Sequence, residues 1–279
     1  MEYFKYLSPR RIDVLENLKI RYTQAFSQND PFESFPGIVQ KSKDWYKRSF
    51  LRNVEAEADA LGIKSINKRK RYIRSRKKDF ENYYKCYSDH DWLMEQSESV
   101  ILMDSVVQGC LSMSEINNNI LMWSHYAQNH EGFVIGFDSD HEYFNYGVEP
   151  VVYSDKRPFL DPTQPNQDAS IFYTKSNDWS YEKEIRKIQN FIEPVVLENG
   201  NSFISYPEEV PSKYDPRLSE IKLFEFPKES ISSVVLGWKS TEELKSRIVE
   251  VLRKNEMNDV SLLKACPHKY KYEMVIEKI

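Results

Sequence analysis

The alternation of apolar and polar residues predicts short β-strands along much of the chain, separated by turn residues. The first strand is followed by a helix start, because Ser8 suits the N-cap and Pro9 the first turn. Near the C-terminus, apolar residues at helical spacing predict an amphipathic helix capped by Ser240 or Thr241. Strands are predicted at 3–7, 20–25, 106–113, 133–138, 148–153, 232–236, 260–265 and 270–277.

The remaining segments predict how the chain is organised. Residues 38–98 are predicted to be mostly helical, and the pattern becomes β-rich from about residue 99. Residues 154–170 and 200–219 contain several prolines and are predicted to be irregular. The sequence therefore predicts a single α+β domain over residues 1–279, a mixed β core with the helical segment 38–98 as an insertion.

The segment 120–138 concentrates hydrogen-bonding side chains beside a predicted core strand. An apolar run leads into Ser124, His125 and Tyr126, and the sequence Asn-His-Glu-Gly before residue 133 is typical of a helix end. We therefore expect a short helix or turn that leads into a strand. Two interpretations stay open. The polar cluster belongs to a site, or Trp123 and Tyr126 are core aromatics and His125 is a buried histidine.

Composition excludes several classes of protein. Glycine occurs 8 times in 279 residues, and neither GxGxxG nor GxxxxGK[ST] is present, so Rossmann and P-loop sites are not expected. The apolar runs are too short to cross a membrane, and the N-terminus lacks a signal-peptide pattern. The 3 cysteines are widely spaced, which favours a reduced cytoplasmic setting. Cys86 and His90 have no second ligand pair nearby, so no metal site is expected.

Positive charge is concentrated in residues 64–78, which hold nine basic residues and no acidic one. Without these charges the chain would carry −13 rather than −4. Such a segment suits phosphate backbones, with Tyr72, Tyr83 and Tyr84 available to stack on bases. The alternative is a solvated helix face that pairs with the acidic remainder or with a partner protein. The candidate nucleic-acid-binding residues are Lys68, Arg69, Lys70, Arg71 and Arg74.

The stretch WSYEKEIR at 179–186 carries a second chemical pattern. If it is a strand, Glu182, Glu184 and Arg186 share one face, and the two carboxylates stand roughly 7 Å apart. Such a pair can serve a reaction that passes through a sugar cation, one carboxylate stabilising the cation and the other positioning the nucleophile. If it is a helix, the glutamates diverge. A charged edge that faces solvent is the alternative without chemistry.

Several short motifs occur together with these two stretches. The most specific are MWSHYA at 122–127 and WxxExE at 179–184. Others are FKY at 4–6, NDPFE at 29–33, VYSD at 152–155, TK at 174–175 and FP at 226–227. Together they resemble a widespread bacterial family catalogued as a domain of unknown function, number twenty-nine seventy-one. The resemblance extends from residue 3 to the C-terminus, and the basic insertion is its least similar part.

The order of these motifs is similar to that of the ADP-ribosyltransferase superfamily, which implies an ADP-ribosyltransferase-like β core and NAD as the cofactor. The resemblance implies that Glu184 is the catalytic glutamate and that Glu182 orients the acceptor. It implies that Tyr126 stacks on nicotinamide, with Ser124 or His125 supporting it.

The first strand departs from the superfamily pattern. The resemblance assigns Lys5 or Tyr6 to the position that grips the NAD ribose, where the superfamily usually has His or Arg. Arg10 and Arg11 lie further along the chain.

Three functions fit these features. The first is an NAD-dependent ADP-ribosyltransferase that acts as a toxin or antiphage effector, with nucleic acid as an acceptor and an antitoxin or other defence protein as a partner. The second is a non-catalytic nucleic-acid-binding or sensing protein of a defence system. The third is an NAD glycohydrolase or base-removing nucleosidase that uses the same carboxylates. A nuclease is not expected, because metal ligands do not cluster in the sequence.

Overall fold

The structure is a computed structural model that describes residues 1–38, 40–160, 169–193, 195–196, 202–203 and 220–279. Residues 161–168 of the predicted irregular segment 154–170 lie outside the described residues, as do most of residues 200–219. The described part is a mixed α+β fold, which confirms the fold class at that level. None of its helices is long and apolar enough to cross a membrane.

The strands and helices follow one another along the chain as a β core interrupted by a helical segment. The strands are β1 (Glu2–Leu7), β2 (Lys19–Tyr22), β3 (Gly37–Ile38), β4 (Gln108–Ser114), β5 (Phe133–Asp138), β6 (Val148–Pro150), β7 (Val152–Ser154), β8 (Phe159–Leu160), β9 (Thr174–Ser176), β10 (Glu184–Asn190), β11 (Val195–Val196), β12 (Ser202–Phe203), β13 (Lys222–Glu225), β14 (Ile231–Leu236), β15 (Ser261–Pro267) and β16 (Met274–Lys278). The helices are α1 (Asp13–Asn17), α2 (Lys43–Ala60), α3 (Ile66–Arg76), α4 (Phe80–Ser88), α5 (His90–Val107), α6 (Ile120–Tyr126) and α7 (Glu242–Lys254).

Eight strands form the main sheet, in the order β16-β15-β14-β5-β1-β4-β10-β6. Its neighbours pair antiparallel except β14 and β15, which are parallel and are connected through α7. Strand β5 is buried along nearly its whole length because both faces of the sheet are covered there. The register places Ser114 of β4 opposite Phe4 of β1 and also opposite Glu184 of β10. Residues distant in sequence are thereby brought side by side.

The two faces of the sheet bury two separate apolar cores. Successive residues of β5 alternate between them, as strand geometry requires: Phe133 and Ile135 face one core, and Val134 faces the other. The larger core includes apolar residues of α1 and α7. The smaller core contains Trp123 of α6 and Tyr6 of β1. Helix α6 is therefore fixed against the face of the sheet on which the first strand presents its aromatic residue.

Helices α2 to α5 pack around a cluster of aromatic rings of their own. The ring of Tyr83 lies 4.4 Å from that of Tyr87 and 5.2 Å from that of Phe50. The ring of Tyr84 lies 6.0 Å from that of Phe80 and 5.9 Å from that of Tyr46. The high aromatic content of this segment is therefore explained by packing between its helices. The prediction that Tyr83 and Tyr84 are available to stack on bases is wrong, because their rings are already packed.

Two predicted element boundaries are also wrong. Helix α5 continues to Val107, so residues 99–106 are helical rather than β, and strand β4 begins only at Gln108. A run rich in valine, isoleucine and leucine is compatible with a buried helix as well as with a strand, so periodicity does not separate the two. The predicted strand 148–153 is divided into β6 and β7 by Val151, whose N–H donates to the carbonyl of Glu184.

Candidate active site

A pocket of about 240 Å³ opens beside the main sheet where β1, β4, α6 and the segment 175–184 meet. Five of the seven residues singled out from the sequence as catalytic or cofactor-binding line it, so the two distant stretches share one cleft. The lining residues are Phe4, Lys5, Tyr6, Arg21, Thr23, Ser27, Gln28, Asn29, Ser112, Met113, Met122, Tyr126, Lys175, Glu182 and Glu184.

Helix α6 positions Tyr126 at its last residue. The helix begins where the Asn119 side chain accepts hydrogen bonds from two backbone N–H groups of the first turn. Trp123 anchors it, because its side chain is fully buried and its indole N–H donates to the Asn117 carbonyl at 2.7 Å. After the helix, Asn129 and His130 adopt positive φ angles of 53° and 71°, and the chain turns back towards β5.

Gly132 allows the chain to make this turn close to the first strand. A Cβ at this position would lie 2.0 Å from the Leu7 carbonyl oxygen and 3.0 Å from that of Ala127. Both neighbours are backbone atoms, so neither can move aside without shifting β1 or the end of α6. The close approach therefore fixes the direction in which Tyr126 leaves the helix.

The Tyr126 hydroxyl donates a 2.5 Å hydrogen bond to Oε1 of Glu182. It also accepts a hydrogen bond of 3.2 Å from the side-chain amide of Asn29. Burial raises the pKa of Tyr126, and the bonded carboxylate of Glu182 raises it further. The phenol therefore stays protonated and acts as a hydrogen-bond donor inside the pocket.

Glu182 and Glu184 converge, but not by the strand alternation that the sequence suggested. Glu182 ends a 3₁₀-helix, Asn177–Glu182, and Lys183 follows in the left-handed conformation with φ of 46°. Strand β10 begins only at Glu184. The interpretation of 182–186 as one continuous strand is therefore wrong. The tight turn at Lys183 nevertheless leaves both glutamates buried and facing the same ammonium group.

That ammonium belongs to Lys175 in β9. Its Nζ lies 2.6 Å from Oε2 of Glu182 and 3.3 Å from Oε2 of Glu184. A third carboxylate, that of Glu33, lies 3.7 Å away. The ammonium also lies 4.8 Å from the centre of the Trp179 ring. Lys175 thus joins three carboxylates from two distant parts of the chain.

Arg186 completes the ionic cluster. It is buried, and it follows Glu184 by two residues in β10, so the two side chains lie on the same face of the strand. Its Nε and Nη2 atoms hold the two oxygens of Glu184 at 2.8 and 2.9 Å. Its guanidinium also contacts the carboxylate of Glu33 and donates to the Phe172 carbonyl at 2.5 Å. Three carboxylates against two cations leave one net negative charge when all five groups are ionised. Proteins often lose no stability when such a buried ionic cluster is replaced with apolar residues. Stability alone therefore does not account for the cluster, which is consistent with a functional role.

The protonation states within the cluster differ from one carboxylate to another. Burial raises the pKa of Glu184, but Arg186 and then Lys175 outweigh it and lower the pKa to about 2. The pKa of Glu33 is raised, because burial outweighs the two cations. Burial lowers the pKa of Lys175, but its three carboxylates outweigh this and raise it. Glu184 therefore stays a fixed anion at neutral pH, and Lys175 stays a cation.

Lys5 and Tyr6, the candidates on the first strand, line the pocket, and their polar side-chain atoms already donate hydrogen bonds to backbone carbonyl groups. Nζ of Lys5 donates to the Ser112 carbonyl at 2.7 Å, and the Tyr6 hydroxyl donates to the Ile116 carbonyl at 2.9 Å. Burial lowers the pKa of the Lys5 ammonium. A different cation reaches the pocket from β2. Arg21 lines it, and its buried Nε has no hydrogen-bond partner within the described residues.

Ser124 and His125 are not among the residues that line the pocket. Ser124 donates to the Ile120 carbonyl at 3.0 Å and lies 3.2 Å from Nε2 of His130. Nδ1 of His125 lies 3.0 Å from the Tyr181 hydroxyl. The reason is helical geometry: residues one or two positions before Tyr126 point about 100° and 200° away around the helix. Any support they give to Tyr126 is through the position of α6.

The basic segment lies on α3 and the turn after it. Its candidate residues are exposed except Arg69, whose guanidinium pairs with the carboxylate of Asp59 on α2. Arg69 differs from the other candidates for nucleic-acid binding, because its charge already has a partner inside the protein. In the part of the chain that the structure describes, no group of three His, Cys, Asp or Glu side chains is arranged to hold a metal ion.

Four further residues, to which the sequence gave no role, complete this site. Asn29, Lys175 and Arg186 contact predicted residues directly, and Glu33 pairs with Lys175 and Arg186. A signal was present, because Asn29 and Glu33 belong to the NDPFE stretch and Lys175 to the TK stretch. The hydroxyl of Tyr153, in the VYSD stretch, accepts a 2.8 Å hydrogen bond from the Glu184 N–H. Six of the seven short motifs, all but FP, therefore meet at one place.

Comparison with known proteins gives a family match over part of the chain but no function. A family model described as a protein of unknown function (DUF2971) matches residues 122–187. The matched segment contains Tyr126, Lys175, Glu182, Glu184 and Arg186. No curated protein and no solved structure matches the chain.

Proposed function

We propose that this chain, a member through residues 122–187 of that family of unknown function, is an NAD-dependent ADP-ribosyltransferase. The observation that supports this proposal is the pairing of Tyr126 with Glu182 beside the Glu184–Lys175 ion pair in one pocket. An aromatic hydroxyl and two buried carboxylates are the groups that cleavage of an N-glycosidic bond requires: one to hold the leaving base and two to serve a sugar cation.

The size of the pocket fits part of a dinucleotide. Its volume of about 240 Å³ is below the roughly 300–1,000 Å³ of pockets that enclose a drug-sized ligand. We place the nicotinamide and its ribose in this pocket, and the rest of NAD along its opening. Arg21 is suited to the pyrophosphate, because its buried Nε lacks a partner among the described residues and a guanidinium binds phosphate oxygens well. It supplies the guanidinium that the first strand lacks.

The two carboxylates have different roles in the proposed reaction. The bond between C1′ of the ribose and the nicotinamide nitrogen breaks, and its electron pair leaves with nicotinamide. Glu184 opposes the positive charge that develops on the ribose, since its low pKa keeps it ionised. A group with a pKa of about 2 is a poor general base, so the proton of the attacking acceptor passes to Glu182 instead. The product is a new bond between C1′ and the acceptor.

Incubation with NAD labelled in the ADP-ribose part tests the proposal, with DNA, RNA and cell-lysate proteins as acceptors. Wild-type protein should release nicotinamide and transfer label, and Glu184→Gln should lose both. Label found only as free ADP-ribose would make the protein an NAD glycohydrolase. No release by wild type with any acceptor, or full activity of Glu184→Gln, would contradict the proposal.

The proposed activity also predicts an effect in cells, since ADP-ribosylation of essential molecules underlies a toxin or antiphage effector role. Induced expression of wild-type protein in bacteria should arrest growth, and Glu184→Gln at the same protein level should not. Equal growth of the two cultures would contradict the effector role. It would not contradict the proposed cleavage of NAD, which the labelling experiment tests.

A further inference from the structure

Helix α3 separates its basic residues into an inner and an outer set. Arg69 and Arg76 face α2, where they pair with the carboxylates of Asp59 and Glu57. The outer basic residues within the helix are one to six positions apart and form one broad arc of the helix. They are Lys68, Lys70, Arg71 and Arg74, followed by Lys77 and Lys78 in the turn after the helix, and all six are exposed.

The positive charge of this outer arc is not compensated inside the protein. Among the described residues, no ion pair involves any of its six cations. Lys70 and Arg74 are four residues apart on a helix, and like charges at that spacing repel each other. Helix α3 also buries none of its own residues, so little apolar packing offsets the repulsion. A polyanion bound to the arc would neutralise these charges and remove the repulsion between them.

The side chains around the arc indicate which polyanion it suits. The hydroxyl of Tyr72 hydrogen-bonds the Glu57 carboxylate on the inner side, and the rings of Tyr83 and Tyr84 are packed within the helical cluster. Among the described residues, these three tyrosines are therefore engaged with α2 or with the helical cluster, whereas single-strand binding depends on free rings for base stacking. The non-basic residues of the arc are Asn67 and Ser75, so it also lacks the apolar side chains with which a helix enters a lipid surface.

We propose that the outer arc of α3 binds the phosphate backbone of a double-stranded nucleic acid. The helix has 11 residues and is therefore about 16 Å long, enough to follow phosphates along one groove. The contacts are ionic, so binding is independent of base sequence and depends strongly on salt. This site is separate from the pocket and stands whether or not the pocket cleaves NAD.

Fluorescence anisotropy with a labelled DNA duplex of about two helical turns tests the proposal. The variant is Lys70→Gln, Arg71→Gln and Arg74→Gln together in the full chain, because glutamine keeps helix propensity while removing charge. The matched control is Lys239→Gln, Lys254→Gln and Lys278→Gln together, three exposed lysines of other elements with the same change in net charge. Circular dichroism checks that both proteins keep their helix content.

Each lost phosphate contact lowers the dependence of log K on log salt by about 0.9, so the α3 variant should lose about 2–3 units of slope. At about 0.1 M salt its affinity should fall by about 10²–10³-fold, and the control should bind like wild type. A duplex of RNA should also bind, since the backbone charge is shared, and a single strand should bind more weakly.

Four results would overturn the proposal. The α3 variant could bind the duplex as tightly as wild type, or the control could lose as much affinity as the α3 variant. The single strand could bind at least as tightly as the duplex, which would require base stacking. Binding to phosphatidylserine vesicles in preference to the duplex at equal charge would assign the arc to a lipid surface instead.

Discussion

Removing Lys175 is the sharpest test of how the ionic cluster is held together. Lys175→Met keeps the length and most of the apolar volume of the side chain but leaves Glu182, Glu184 and Glu33 with one remaining cation. The side chains of Lys175, Glu33 and Glu184 expose only 3%, 0% and 4% of their surface, so water cannot replace the lost ammonium. The variant therefore has uncompensated buried negative charge.

The expected cost follows from that burial. Breaking a buried ion pair by removing one partner destabilises proteins by about 3–5 kcal/mol, because the remaining charge stays desolvated. An exposed pair is worth about 0–1 kcal/mol. The pair between Lys19 and Glu225, at 3.3 Å with 45% and 80% of the side chains exposed, is a suitable comparison. Lys19→Met should therefore change the free energy of unfolding by less than about 1 kcal/mol.

The cost should depend on pH in a definite direction. In wild type the pKa of Glu184 is lowered to about 2, so its contribution to stability is complete above its unfolded pKa and is lost as the pH falls towards 2. Lys175 lowers the pKa values of Glu184 and Glu33, so without it these two carboxylates take up protons sooner on acidification. The difference in stability between wild type and Lys175→Met should therefore be largest near neutral pH and should shrink as the pH falls.

Urea unfolding followed by tryptophan fluorescence, at about pH 7 and about pH 5, measures this difference. We expect about 3–5 kcal/mol at the higher pH and a smaller value at the lower pH, with Lys19→Met near wild type at both. A loss below about 1 kcal/mol at pH 7 would show that the cluster is more hydrated than its burial implies. A difference that grows on acidification would contradict the assignment of charges.

The remaining predictions concern the pocket and the turn beside it. Tyr126→Phe removes one hydrogen bond to the Glu182 carboxylate and should lower the free energy of unfolding by about 1.5–3 kcal/mol. It should reduce nicotinamide release by about a hundredfold, and equal rates would refute a role for the hydroxyl. Gly132→Ala places a Cβ 2.0 Å from the Leu7 carbonyl oxygen and should cost at least about 1–3 kcal/mol in a denaturation experiment. A neutral effect would show that the turn is not constrained. Arg21→Gln should raise the KM for NAD about tenfold or more with little change in kcat, and a change confined to kcat would contradict its role in holding phosphate.

The elements that the sequence predicted correctly are those determined by local pattern. Helix α6 and strand β5 follow from the apolar run at 120–123, the polar helix end and the β-branched run after Gly132. Helix α7 follows from its Thr241 cap and its apolar stripe. In these segments the local preference and the tertiary environment favour the same structure, so one sequence is enough.

The parts that could not be predicted depend on contacts between distant residues. Lys175 and Glu33 are 142 positions apart in the chain, and nothing in either local sequence shows that they form an ion pair. The pairing of Glu182 with Glu184 was anticipated, but through strand alternation instead of the left-handed turn at Lys183. The charges in the sequence were enough to predict a basic segment at α3. That Arg69 lies on the inner side of the helix, paired with Asp59 of α2, became visible only in the structure.

Nicotinamide release from NAD under single-turnover conditions tests the central claim most directly, with wild type compared with Glu182→Gln. The substitution keeps the size of the side chain and its hydrogen bond to Tyr126 but removes the negative charge and the basic oxygen. We expect wild type to release nicotinamide and Glu182→Gln, at a temperature at which circular dichroism shows it folded, to be slower by about 10²–10⁴-fold. Equal release by the two proteins, or none by wild type with every acceptor present, would contradict the account.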